Sequence, residues 1–287
     1  MSMPQNVVAI VFDFDDTLTD DSTTKLLEAH GVDAADFWQH QMKKRTDEGW
    51  DAPLAYLTWI LDNVGEGKRF GMLTNAQLRQ FGEKLAFYTG LPELFIDLQA
   101  IAAEHPLTRP VVEFYIVSGG LEEVIRGSSI AKHFHGIWGC NFAEEGGCVR
   151  HVKNIITFTE KTKALFAINK GISDQEIRKN PYTVNEFRTP EDRRVPFRNM
   201  IYLGDGLTDV PCFSLLDRMG GKAFAVFDPK KAGSPKKAWE KLVAPRRVAS
   251  AHSPRFGRED DLGALLRVAV SALCAEMEVR SQTSLGR

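Results

Sequence analysis

The feature that most constrains the fold is an uninterrupted apolar run, Val7–Phe12, which stops at the acidic residue Asp13. A run of this length is typical of a strand that is buried on both faces of a parallel sheet. Two later segments repeat the pattern, because residues 111–117 lead into Ser-Gly-Gly and residues 199–203 lead into GDGLTD. Ligands of open α/β sheets bind outside the carboxyl ends of the strands, so the three polar segments are predicted to converge on one site.

The stretch between the first two predicted strands has the apolar periodicity of helices. Pro53 suits a first helical turn, and Thr74 suits a helix N-terminus. The stretch is longer than the single crossover helix that parallel strands require. We therefore expect an all-helical cap domain at residues 20–90, inserted into a core of residues 1–19 and 91–287. The periodic apolar residues are Leu54, Leu57, Leu61, Val64, Leu78, Phe81, Leu85, Leu94, Leu98 and Ile101.

The chain after the second strand is predicted to continue the alternation of strands and helices. Residues 136–149 are predicted to form a hairpin with EEGG as its turn, followed by a helix over residues 161–170. The polar, proline-containing span 171–198 is predicted to be loop with one short helix. A strand at 223–227 and a closing helix at 262–279 complete an α/β fold with a doubly wound, mainly parallel sheet.

Composition argues against several classes of protein. The 36 basic and 38 acidic residues give a formal charge of −2, which does not favour a nucleic-acid surface. No apolar run approaches the roughly 20 residues that cross a bilayer, and the N-terminal MSMPQN lacks the basic residues of a signal peptide. The four cysteines form no CxxC pair, which favours reduced, buried thiols. We expect a cytoplasmic protein without a nucleic-acid or membrane partner.

A basic stretch covers residues 230–247. It is either a docking patch for an anionic partner or a solvated face. Its mixture of lysines with proline, glycine and apolar residues favours the solvated face.

The acidic segment after the first strand has the residues that phosphoryl transfer requires. Asp13 and Asp15 are two positions apart, so a turn after the strand directs both carboxylates into one site. One carboxylate can attack phosphorus to form a covalent acyl-phosphate, and the other can move a proton. Attack on an anionic phosphate also calls for a divalent cation and a positive side chain.

The sequence GDGLTD supplies acidic groups for such a cation. Asp205 and Asp209 are four positions apart, with a glycine that allows a tight turn. Oxygen ligands from Asp13 and Asp205, completed by water and a phosphate oxygen, suit Mg²⁺. The sequence therefore predicts a magnesium site.

The remaining polar segments supply phosphate contacts. Ser118 and the amides of Gly119 and Gly120 follow the second strand and are suited to binding phosphate oxygens. Lys161, at the expected start of a helix, offers the cation that lets an anionic nucleophile approach an anionic substrate.

These pieces together resemble, in order and character, the four motifs of the haloacid-dehalogenase-like (HAD) superfamily of phosphohydrolases. The resemblance extends from about residue 7 to residue 226 and implies a Rossmann-like core. The order of the motifs is more specific than any one of them. The matching residues are Asp13-Phe14-Asp15-Asp16-Thr17 for DxDx(T/V), Ser118 in IVSGG, Lys161 in EKTKALFAI, and Gly204 to Asp209 for GDGxxD.

The resemblance implies a role for each acidic residue. Asp13 is the expected nucleophile, and Asp15 is the expected general acid and then general base. Asp205 is expected to bind Mg²⁺, together with Asp13 and the backbone carbonyl of Asp15. Asp209 is expected either to be a water-mediated metal ligand or to orient Lys161.

Two assignments have alternatives. Lys163 lies two positions after Lys161, but the family lysine is usually followed four residues later by an apolar helix residue, and Leu165 fits Lys161. Thr17 belongs to the expected phosphate-binding set, where it either orients Asp15 or caps the following helix.

Asp15 also distinguishes between branches of the superfamily. The dehalogenase branch has no acid at this position, because a halide leaving group needs no proton, whereas an alkoxide does. The transporting ATPase branch has threonine there, so an aspartate favours rapid hydrolysis. The helical insert resembles the cap of the phosphoserine phosphatase branch, but Ser22 stands where that branch has a glutamate that contacts the substrate ammonium.

The sequence therefore predicts Mg²⁺-dependent hydrolysis of a small phosphorylated metabolite, a phosphate monoester, through an aspartyl-phosphate. The alternatives are a phosphotransferase or mutase of the same superfamily, or a non-catalytic protein that binds a phosphorylated ligand.

Overall fold

A seven-stranded sheet forms the centre of the computed structural model, which describes residues 5–285. Its strands are β1 (Val7–Phe12), β2 (Val111–Leu121), β3 (Phe134–Glu145), β4 (Cys148–Asn154), β5 (Met200–Gly204), β6 (Lys222–Val226) and β7 (Ser250–His252). The strand order is β4-β3-β2-β1-β5-β6-β7, and every neighbouring pair is parallel except β3 with β4. The predicted doubly wound, mainly parallel sheet is confirmed.

Strand β2 is longer than the sequence predicts, because it runs through the Ser-Gly-Gly segment. Its pairing with β3 shifts register between Val117 and Leu121. Ser118, Gly119 and Gly120 therefore lie in an irregular part of the strand rather than in a turn after it. The expected hairpin is also present, as the antiparallel pair β3 and β4.

Twelve α-helices connect and cover these strands within residues 5–285. They are α1 (Ser22–Ala29), α2 (Ala34–Asp36), α3 (Lys43–Asp47), α4 (Ala52–Asp62), α5 (Asn75–Gly82), α6 (Glu93–Ala103), α7 (Glu122–Gly127), α8 (Phe158–Lys170), α9 (Asp174–Lys179), α10 (Val210–Met219), α11 (Ser234–Ala238) and α12 (Asp261–Leu285). A π-helical segment, Phe37–Met42, joins α2 to α3, and another, Trp239–Val243, follows α11.

The insert between β1 and β2 follows the predicted helix signals. Pro53 lies in the first turn of α4, which Asp51 caps by accepting from the backbone amide of Leu54. Thr74 caps α5 in a reciprocal capping box with Gln77. From residue 20 to residue 90 the structure contains helices and turns but no strand, as expected.

Helices cover both faces of the sheet, since every residue of β1 is buried. Helices α6 and α12 pack against each other and against β2 and β1 respectively. Phe95 of α6 contacts Phe12 and Phe114 of these strands, with ring centroids 6.2 and 4.8 Å away. Helices α8 and α10 form a second packed pair, and α10 contacts β5 and β6. This packing fixes the carboxyl ends of β1, β2 and β5 at one edge of the sheet.

Other predictions are confirmed or corrected by the remaining elements. The predicted loop at 171–198 has more structure than expected, because α9 is followed by three short 3₁₀ turns. The four cysteines are free and buried, as predicted. No helix between residues 5 and 285 has both the length and the apolar character that spanning a bilayer would require. Residues 1–4 and 286–287, which were assigned to the core, lie outside the described residues.

Candidate active site

Asp13 lies directly after the central strand and is almost completely buried. Its backbone amide donates to the carbonyl of Leu203 on β5, and its Oδ1 accepts from the amide of Phe14 at 2.7 Å. Burial and the carboxylate of Asp209 raise the pKa of Asp13 to about 6, although the ammonium of Lys161 opposes the rise. The surroundings of Asp13 therefore stabilise its ionised form less than water does, even with Lys161 beside it.

Lys161 is the cation of the site. It lies in the first turn of α8, is 2% exposed, and its Nζ donates to Asp13 Oδ2 and Asp209 Oδ1, both at 2.7 Å. Burial alone would lower the pKa of Lys161, but the two carboxylates outweigh it and hold the pKa above its usual range. Lys161 is therefore a permanent positive charge between two carboxylates.

The acidic cluster predicted from GDGLTD is present. Carboxylate oxygens of Asp13, Asp205 and Asp209 all lie within 4.8 Å of one another. Asp209 is fully buried, and its oxygens accept from Lys161, from the hydroxyl of Tyr202 at 2.8 Å and from the amide of Gly206 at 3.2 Å. This arrangement fixes Asp209 against Lys161.

Asp205 differs from Asp209 in its contacts. Its carboxylate accepts no hydrogen bond and forms no ion pair with any residue between 5 and 285. Burial, Asp13 and Asp209 raise the pKa of Asp205 well above its usual range. An uncompensated carboxylate beside two others fits a divalent cation with oxygen ligands.

Asp15 lines the same cavity but is held by the insert. Its Oδ1 accepts from the backbone amide of Ser22, at the start of α1, at 2.8 Å. Burial and the nearby carboxylates of Asp21 and Asp13 raise the pKa of Asp15 well above its usual range. This environment favours the protonated form, which is the form that a general acid needs.

The Ser-Gly-Gly segment of β2 faces Asp15. The Oγ of Ser118 accepts from the amide of Gly120 at 3.0 Å, and Ser118 is 1% exposed. A Cβ atom added to Gly120 would lie 2.6 Å from Asp15 Oδ2, so only glycine permits this approach. A side chain at residue 120 would therefore displace the Asp15 carboxylate.

A cavity of about 290 Å³ joins these residues. The polar groups predicted from the three strand ends line it, together with residues of the insert. The lining residues from the core include Asp13, Asp15, Ser118, Gly119, Gly120, Lys161, Asp205 and Thr208, and those from residues 21–56 include Asp21, Thr23, Trp38, Pro53 and Tyr56.

Tyr56 is the clearest residue that the sequence analysis missed. Its hydroxyl donates to the carbonyl oxygen of Gly119 at 2.6 Å, so it joins helix α4 of the insert to the Ser-Gly-Gly segment. The thiol of Cys140 lies 3.2 Å from the same oxygen. No sequence pattern marks Tyr56, because it is one apolar-face residue of an ordinary amphipathic helix.

The geometry distinguishes between alternatives that the sequence left open for the site lysine and for Thr17. Lys163 forms an ion pair with Glu160 and does not line the cavity, whereas Lys161 contacts Asp13. Asp21 caps α1, so Thr17 does not cap that helix.

Thr17 also does not orient Asp15 through a hydrogen bond. Its hydroxyl is buried and has no hydrogen-bond partner among residues 5–285, and Thr17 does not line the cavity.

Comparisons with known proteins agree with this architecture. No protein-family model matches the sequence. An uncharacterised protein of Borreliella burgdorferi is 29% identical over 241 residues, which are 76% of this chain and 81% of that protein.

Two solved structures are similar in fold. A HAD-family hydrolase from Salmonella enterica serovar Typhi has a TM-score of 0.52 at 17% identity, covering 87% of this chain and 67% of that one. A substrate-bound phosphoserine phosphatase has a TM-score of 0.51 at 13% identity, covering 91% of this chain and 97% of that one. The chain therefore shares the fold of these two proteins, which is the fold that the resemblance of its four motifs implied.

Proposed function

We propose that this protein is a Mg²⁺-dependent phosphatase of the HAD superfamily that hydrolyses a small phosphate monoester through an aspartyl-phosphate. The observation that supports this most strongly is the contact of Lys161 with both Asp13 and Asp209 at the carboxyl edge of the sheet. It pairs an anionic nucleophile with the cation that allows an anionic phosphate to approach. The fold, shared with phosphoserine phosphatases, supports the same conclusion.

The residues present fit a magnesium ion. Asp13 and Asp205 offer carboxylate oxygens, Asp205 has no protein donor within residues 5–285, and the backbone carbonyl of Asp15 is the expected third ligand. The contacts of Asp209 favour its role in orienting Lys161 over a role as a water-mediated ligand. Bound Mg²⁺ would neutralise charge on the phosphate and on the carboxylates around it.

The first chemical step transfers the phosphoryl group to Asp13. One carboxylate oxygen of Asp13 attacks phosphorus while the bond from phosphorus to the ester oxygen breaks. Asp15 gives its proton to that leaving oxygen, so a neutral alcohol departs. Lys161 holds Asp13 in position, and the hydroxyl of Ser118 is suited to binding a phosphate oxygen.

The second step returns the enzyme to its starting state. Asp15, now a carboxylate, takes a proton from a water molecule as that water attacks phosphorus. The bond between phosphorus and Asp13 breaks, inorganic phosphate leaves, and Asp15 is again protonated. One residue thus acts first as acid and then as base.

Residues 20–90 are the proposed cap domain. Trp38 and Tyr56 line the cavity from this segment, and the amide of Ser22 binds Asp15. A cap in this position excludes water and limits the substrate to small molecules.

Hydrolysis of a panel of phosphate monoesters, including a chromogenic aryl phosphate, tests the proposal. Each ester is assayed with Mg²⁺ and with chelator, using the parent, Asp13→Asn and Asp217→Asn. Asp217 is an exposed carboxylate of α10 and serves as the matched control. We expect phosphate release that needs Mg²⁺, that is lost in Asp13→Asn and that is kept in Asp217→Asn.

Other outcomes identify the alternatives. Full activity of Asp13→Asn under single-turnover conditions would refute the nucleophile assignment. Phosphorylated products formed from added alcohols or sugars would indicate a phosphotransferase or mutase. Phosphate binding without turnover of any ester would indicate a ligand-binding protein.

A further inference from the structure

A second cavity, of about 300 Å³, adjoins the reaction cavity. The two cavities share Asp16 and Asp205 as lining residues. The walls of the second cavity come from the turn after β5, the end of β6 and the basic stretch that follows β6. They include Gly206, Leu207, Val226, Phe227, Asp228, Lys231, Gly233, Ser234, Lys237, Lys241 and Leu242.

Three lysines of the basic stretch line this cavity: Lys231, Lys237 and Lys241. Lys237 and Lys241 are four residues apart on consecutive helical segments, so their side chains lie on the same face. Neither ammonium forms a hydrogen bond or an ion pair with any residue between 5 and 285. Lys231 pairs with Asp16, at the edge of the reaction cavity. The lysines of the basic stretch are exposed, as expected of a solvated face, and three of them also line a cavity beside the site.

Two of the acidic groups of the cavity have partners within the protein. Asp16 is paired with Lys231, and Asp228 accepts from the backbone amide of Lys230 at 2.9 Å. Asp205 would be a ligand of the proposed metal. Among the described residues that line the cavity, Lys237 and Lys241 are therefore the cations that remain available to an anion.

The cavity also has apolar lining residues. Val226 and Leu242 line it and are buried, and Lys231 links the basic stretch to Asp16, in the segment that follows Asp13. Two ammonium groups beside apolar lining residues suit a small organic anion.

We propose that this cavity, which we call the lysine subsite, binds a second phosphate or carboxylate group of the substrate. The inference rests on the proposed function and adds a substrate class: small phosphate esters whose alcohol part has a further anionic group. The reacting phosphate would lie among Asp13, Ser118 and Lys161, and the second anion near Lys237 and Lys241.

Matched substrates test the lysine subsite. Monophosphates of propanediol and butanediol are compared with the corresponding bisphosphates, which differ only in the second phosphate. We expect kcat/KM for a bisphosphate to exceed that for its monophosphate by roughly tenfold. One added hydrogen bond between charged groups contributes about the free energy of a tenfold change in binding. The combined variant Lys237→Met with Lys241→Met should reduce this ratio to about one, mainly through KM for the bisphosphate.

Lys236→Met is the control, because Lys236 lies on the same helix but does not line the cavity. It should keep the preference of the parent for bisphosphates. All three lysines are exposed, so the variants should fold, which circular dichroism checks.

A binding measurement separates this inference from the proposed function. Butanediol bisphosphate is titrated by calorimetry into Asp13→Asn with Mg²⁺, with and without the two lysine substitutions. Weaker binding in the lysine variant supports the subsite even if the parent hydrolyses no ester. Equal binding of the bisphosphate with and without the two lysine substitutions would overturn the inference. Equal kcat/KM of an active parent for monophosphates and bisphosphates would also overturn it. Lysine-dependent binding of inorganic pyrophosphate without preference for bisphosphate substrates would also overturn it, because the anion would then be a separate ligand.

Discussion

The hydroxyl of Tyr56 donates a 2.6 Å hydrogen bond to the carbonyl oxygen of Gly119. The two residues are 63 positions apart, and the bond connects the helical insert to the segment that contains Ser118. Burial raises the pKa of Tyr56 well above its usual range, so the phenol remains a donor at neutral pH. The position of the Ser-Gly-Gly segment is therefore linked to that of the insert.

Substitution Tyr56→Phe should lower kcat/KM for phosphate esters by about 5- to 30-fold, which corresponds to one hydrogen bond of about 1–2 kcal/mol. The loss should be partial because Cys140 also lies within hydrogen-bonding distance of the Gly119 oxygen. Steady-state kinetics measure the effect, and Tyr182→Phe, at a residue that is 77% exposed, is the control. Unchanged kinetics in Tyr56→Phe would show that the contact does not position the segment.

Substitution Lys161→Met should reduce turnover by about 10²–10³, because the site loses its charge compensation for the nucleophile and phosphate. Lys163→Met should change turnover little, because Lys163 pairs with Glu160 outside the cavity. Removing Lys161 also leaves Asp13 and Asp209 without their buried partner, at a cost of about 3–5 kcal/mol in stability. Activity is therefore compared only for variants whose circular dichroism matches that of the parent. The reverse order of effects would make Lys163 the lysine of the site.

Addition of Mg²⁺ should raise the melting temperature of the parent but not that of Asp205→Asn. A ligand that binds only the native state at 100 times its dissociation constant adds about 2.7 kcal/mol to stability. Asp205→Asn removes the carboxylate that has no protein partner within residues 5–285, so it should abolish the shift without removing a protein contact. Thermal denaturation with Mg²⁺ and with chelator provides the measurement. An equal shift in both proteins would place the cation elsewhere.

Glu113 should make the stability of the protein pH-dependent below about pH 4.5. Burial raises its pKa, but Arg194 and the hydroxyl of Tyr115 outweigh burial and hold the pKa of Glu113 below its usual value of 4.5. A lowered folded-state pKa stabilises the protein above pH 4.5, and this contribution is lost as the pH falls through the folded-state value. Glu113→Gln should therefore cost about 1–3 kcal/mol at pH 7 and progressively less below pH 4.5.

Urea denaturation at several pH values measures this difference. Glu83→Gln is the control, because Glu83 is exposed and directly follows α5. Its free energy of unfolding should differ little from that of the parent at any pH. A difference between parent and Glu113→Gln that stays constant from pH 7 to pH 3 would contradict the lowered pKa.

The sequence by itself determined those strands and helix ends that depend on short local patterns of residues. The apolar run before Asp13 predicted β1, and Thr74 was predicted to begin a helix, where it caps α5. The four motifs predicted which carboxylates and which lysine meet, because parallel strands bring their carboxyl ends to one edge. The roles of these residues in catalysis, and the division into core and cap, remain predictions.

Only the tertiary structure decided which distant side chains share a cavity with the motifs. Tyr56 and Lys231 were not predicted, and Lys231 meets Asp16 across 215 positions of sequence. The role of Thr17 was likewise not settled by the sequence, since Asp21 rather than Thr17 caps α1. Spacing along one strand or helix fixes local geometry, whereas contacts between the insert, the basic stretch and the sheet depend on how separate elements pack, which no short pattern encodes.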